Sequence, residues 1–78
     1  MNRYQYTIQD HREDPISFNS VWDEKDIVLL AIDAAEHYHY DGGWEHDGWP
    51  LVFTILLDGQ VVGGAEIDRR SAPEFFAI

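Results

Sequence analysis

The densest chemistry in the sequence lies between His37 and Trp49, where three histidines, three carboxylates and two tryptophans are interleaved with glycine. Neutral imidazole and carboxylate are the usual ligands of zinc, nickel and iron. His37, His39, His46 and Asp41 are therefore the candidate metal ligands. Their spacing does not describe a preformed site. On a helix, His37 and His39 would point about 200° away from each other, whereas a helical metal pair follows the His-x-x-x-His spacing. Asp41, Glu45 and Asp47 do not follow the oxygen-ligand pattern of a calcium loop. No cofactor is expected, and the same segment reads more simply as a polar, aromatic loop closing one end of a sheet.

Catalytic parts are missing. There is no cysteine, so no thiolate is available as nucleophile or ligand and no disulfide can staple the chain. A serine nucleophile would have to be Ser17, Ser20 or Ser71, and none sits in a nucleophile elbow. Gly63-Gly64 is not followed by the Lys-Ser or Lys-Thr of a phosphate-cradling loop. Carboxylates are so frequent that close pairs arise by chance. A chain of 78 residues has little room for a substrate pocket of several hundred cubic ångströms. A non-enzyme is expected.

Charge narrows the class of partner. Fifteen acidic against five basic residues give a net charge of −10, and from Asp26 to Asp68 there are nine carboxylates and no Lys or Arg. Such a surface repels nucleic acid and anionic lipid, which both need cations against their phosphates. It attracts a basic protein surface and speeds that encounter. The reading that follows is a small acidic binding module, an inhibitor docking on a basic, nucleic-acid-binding protein surface. Asp33, Glu36, Asp41, Glu45 and Asp47 would supply the contacts, with Trp44 or Trp49 as anchor, since Trp is enriched in binding hot spots. In size, acidity and lack of catalytic parts the chain resembles phage- and plasmid-borne inhibitors that imitate DNA, although no motif identifies one. Two alternatives stand beside it: a metal-binding or metal-responsive domain using residues 37–47, and a homodimeric domain. Solubility alone would also account for excess carboxylate.

No membrane contact is expected. Met1-Asn2-Arg3-Tyr4-Gln5 lacks the apolar run of a signal peptide. The longest apolar stretch, Ile27 to Ile32, is far shorter than the roughly 20 residues a span needs. Cytoplasm is the expected compartment.

The elements that would position these residues follow from periodicity. Tyr4, Tyr6 and Ile8 alternate with polar residues and predict a half-buried strand, and Ile16 and Phe18 predict a short second one. Asp23 reads as a helix N-cap, with acidic residues suited to the positive end of the dipole. Ile27, Val28, Ala31, Ala34, Ala35 and Tyr38 predict the buried face, leaving Asp33, Glu36 and Leu29 in solvent. Asp41-Gly42-Gly43 should end the helix near Tyr40. Leu51–Leu56 and Gln60–Asp68 read as a hairpin about Asp58-Gly59. A three-residue loop is preferred there, because it gathers Leu51, Phe53 and Ile55 with Val61, Gly63, Ala65 and Ile67 on one face. The apolar tail Phe75-Phe76-Ala77-Ile78 should dock. The fold expected is α+β, one helix packed on a three- or four-stranded antiparallel sheet, in the order β-(β)-α-β-β with a docked C-terminal tail, as a single domain over 1–78.

Overall fold

A computed structural model describes residues 2–10, 14–40, 48–69 and 74–78. The strands are β1 (Asn2–Ile8), β2 (Ile16–Ser20), β3 (Leu51–Leu57), β4 (Gln60–Arg69) and β5 (Phe75–Ala77), with one helix, α1 (Ile27–Tyr40), between β2 and β3. The strands form one antiparallel sheet in the order β2-β1-β3-β4-β5. The α+β class is as the sequence predicts, but three or four strands understates the sheet. The tail supplies the fifth, with Ala77 opposite Ile67 and Phe75 opposite Arg69. Pairing there satisfies backbone groups that a merely adhering tail would leave to water.

Alternation works as expected on β1, where Tyr4, Tyr6 and Ile8 are buried, and on β2, where Phe18 is. Tyr6 lies at the centre of the aromatic core, 5.4 Å edge-on from Phe18 and 5.7 Å from Phe53 between ring centroids. Such pairs add roughly 0.5–1.5 kcal/mol beyond the area they bury.

Asp23 caps the helix through a lead-in turn. Its side chain accepts from the Lys25 amide at 2.9 Å, and its carbonyl accepts from the Asp26 amide at 2.9 Å. Glu24–Asp26 form a 3-10 turn that runs directly into α1. The buried face of α1 is Leu30, Ala31, Ala34, Ala35 and Tyr38. Val28, expected inside, is 43 % exposed, and Leu29, expected in solvent, is half-buried. The apolar arc is turned by about 30° from the expected one, which takes in Leu30 and releases Val28. Burying the larger Leu removes more apolar area from water than burying Val.

The hairpin corrects the expected loop. Asp58 and Gly59 both have positive φ (51° and 81°), the two-residue turn in which an Asp-Gly pair is favoured. Leu57 pairs with Gln60 and Leu56 with Val61, but Ile55 pairs with Gly63, so Val62 is an extra, bulged residue. The bulge reconciles the tight turn with the hydrophobic pattern. Beyond it Phe53 faces Ala65 and Leu51 faces Ile67, which keeps the apolar residues on the helix side. Val61, expected in the core, falls on the far face and is 66 % exposed. The Ile27 side chain at the start of the helix packs onto Gly63: a Cβ built there would lie 2.5 Å from Ile27 Cγ1. No helix among the described residues is long and apolar enough to cross a membrane.

Candidate acidic cleft

The two described carboxylates singled out on α1, Asp33 and Glu36, are three residues apart and so share one flank of the helix. Tyr40 follows Glu36 by one turn, and His37 borders the buried arc on the same side. Edge strand β2 brings Asn19 opposite them. Together Asn19, Asp33, Glu36, His37 and Tyr40 line an open cleft of about 490 Å³.

Each wall is held by a specific bond. Buried Ser20 donates its hydroxyl to Asp33 Oδ2 at 2.5 Å and accepts from the Trp22 amide at 3.1 Å. His37 Nδ1 lies 3.0 Å from the Tyr6 hydroxyl. In the tautomer with hydrogen on Nε2, that hydroxyl donates to the ring. The Glu36 carboxyl is pushed above its ordinary value of 4.5, first by partial burial and then by the Asp33 charge. Both causes disfavour a further negative charge in the cleft.

The other candidates fall elsewhere. His39 lies across the helix from His37, its ring 5.4 Å from Phe75 at the β5 edge. Burial there holds its pKa below the ordinary 6.5, and the Arg69 charge lowers it further. The two histidines are thus directed toward opposite edges of the sheet, His37 to β1 and β2 and His39 to β5, consistent with their spacing. No three His, Asp or Glu side chains among the described residues gather as metal ligands would. Trp49 is half-buried and stacks on Phe53, centroids 5.9 Å apart with planes at 26°, and also meets Tyr38 and Phe75. It covers the core from the loop side. Asp41, Trp44, Glu45, His46 and Asp47 lie outside the described residues.

Three cleft-forming residues escaped the sequence reading. Tyr40 stands at helical spacing from Asp33 and Glu36, a signal that could have been used. Asn19 and Ser20 carried none, because their role depends on β2 lying beside the helix. The chain matches no protein-family model, no curated protein and no solved structure.

Proposed function

We propose that the chain is a small acidic, non-catalytic binding module that docks on a basic protein surface of the kind that otherwise holds nucleic acid. The observation that carries this reading is the cleft of one charge sign. Asp33 and Glu36 stand together, and Glu36 already resists ionisation, first through partial burial and then through the Asp33 charge. A lysine or arginine entering between them would relieve that repulsion and gain charge-assisted hydrogen bonds. Asn19 and the Tyr40 hydroxyl would add neutral contacts at the rim. Steering by the net charge of −10 would bring the basic partner in quickly.

The test is capture of partners on the immobilised protein at low salt, followed by a salt gradient and mass spectrometry. A single basic, nucleic-acid-handling protein should elute at moderate salt, and Asp33→Asn with Glu36→Gln should release it earlier. Retention that ignores ionic strength, or survives both substitutions, would overturn this reading, since exposed charge pairs are strongly screened.

A further inference from the structure

The sheet has a second face, turned away from α1. Alternation along the strands places Val52, Thr54 and Leu56 of β3 at its centre, with Val61 of β4 beside them. Arg3 of β1 lies toward the Asp58-Gly59 end of this face, and Glu66 and Asp68 of β4 lie toward the other. We propose that this face is the contact between two copies of the chain, related by a two-fold axis passing over Thr54. The proposal does not depend on the cleft.

Charge selects the occupant. With one cation and two anions, these residues are nearly neutral in a chain of net charge −10, so a strongly basic partner is drawn to the carboxylate-rich surface instead. What this face offers is opposite sign at opposite ends. An isologous contact uses such an arrangement twice, because residue i meets residue j and j meets i.

The register locates the axis. Thr54 pairs with Thr7 on one side and Gly64 on the other. It is therefore midway between Arg3, four residues before Thr7 on β1, and Asp68, four residues beyond Gly64 on β4. At strand spacings of ~4.8 Å and rises of ~3.3 Å per residue, the Arg3-to-Asp68 line is inclined to the strands by about 20°. A two-fold that exchanges those ends crosses the two sheets at about 40°, close to the ~30° of aligned sheet packing. Half-buried Val52 and Leu56 and exposed Val61 then form the apolar middle. Arg3 of each copy meets Asp68 of the other. Asp68 Oδ1 already accepts from the Arg69 amide at 2.7 Å, which helps to hold that carboxylate in place. A standard interface of about 800 Å² per partner is about one-sixth of the chain's 4997 Å² of accessible surface. The carboxylates of the helix layer are directed outward on both copies.

Sedimentation equilibrium over a concentration series tests this, with circular dichroism confirming that each variant is folded. The natural chain should reach twice its 9.1 kDa mass, and Leu56→Lys should weaken association by more than tenfold. Thr54→Arg, at the axis, should do the same and serves if Leu56→Lys fails to fold. Arg3→Asp and Asp68→Arg should each weaken the dimer by roughly five- to tenfold, two rim pairs being lost at once, and the double swap should restore it. Asp33→Asn should leave it unchanged. A chain that stays monomeric to millimolar concentration overturns the proposal, as does a dimer indifferent to Leu56→Lys and Thr54→Arg. Failure of the double swap to restore association overturns the two-fold described.

Discussion

Ser20 ties the edge strand to the helix: its buried hydroxyl donates to Asp33 Oδ2 at 2.5 Å while accepting from the Trp22 amide. One side chain therefore satisfies a carboxylate and a backbone donor where the chain turns from β2 toward α1. Ser20→Ala should lower the denaturant-unfolding free energy by about 1–2 kcal/mol, because it leaves both groups without that partner. Ser20→Thr, which keeps the hydroxyl, should lose less. Equal losses in the two variants would mean that packing, and not the bond, matters at this position.

Gly63 and Ile27 should be energetically coupled. A methyl group at residue 63 would lie 2.5 Å from Ile27 Cγ1 and 2.8 Å from its Cδ1, far inside contact distance. Gly63→Ala should therefore destabilise by about 1–3 kcal/mol through overpacking. In the Ile27→Ala background, where both clashing atoms are gone, the same change should cost much less. A double-mutant cycle of unfolding midpoints reads the coupling directly, and additive losses would show that the helix shifts to accommodate the methyl.

These two contacts mark what the sequence could and could not reveal. The helix and its Asp23 cap rest on local signals, and local signals were legible. So was the alternation of Tyr4, Tyr6 and Ile8. The hairpin needed two signals at once. Asp58-Gly59 asked for a two-residue turn, and the apolar pattern asked for a different register. A bulge at Val62 meets both demands, but nothing in the residues announces it. The tail's apolar content foretold docking, but not that it would dock as a strand. The cleft was half legible, since Asp33 and Glu36 share a helix flank by spacing alone. Ser20 and Asn19 reach it only because β2 is the edge strand beside α1, which is a matter of topology.

Glu36 gives a pH signature of defined sign. Its carboxyl binds a proton more tightly in the folded chain than its ordinary value of 4.5 implies. Well below pH 4.5 both states are protonated, and the group costs nothing. Its ionisation is penalised in the folded state, so stability falls as pH rises from about 4.5 through the raised folded value. Glu36→Gln should therefore stabilise the protein at pH 7, by only about 0.3–0.5 kcal/mol because the side chain reaches solvent. Near pH 3.5 the difference should vanish. Thermal melts of the two proteins at both pH values check this, and a variant less stable at pH 7 would show that Glu36 is compensated within the fold.

His39 should act in the opposite sense. Burial beside Phe75 and Tyr40 disfavours its charged form, and the Arg69 guanidinium adds like-charge repulsion. Above pH 6.5 the ring is neutral in both states, and the penalty is absent. As pH falls below 6.5 the unfolded chain takes up the proton first, so stability declines until pH passes the lowered folded value. The contribution should stay below about 1 kcal/mol, because the site is partly open to solvent. His39→Gln should flatten that part of the stability profile. Arg69→Gln should move the His39 titration, followed by the shift of its ring protons in NMR, upward toward 6.5 without bringing it all the way, since burial is the larger cause. Complete return to 6.5 would assign the shift to Arg69 instead. No movement would separate the two side chains in solution.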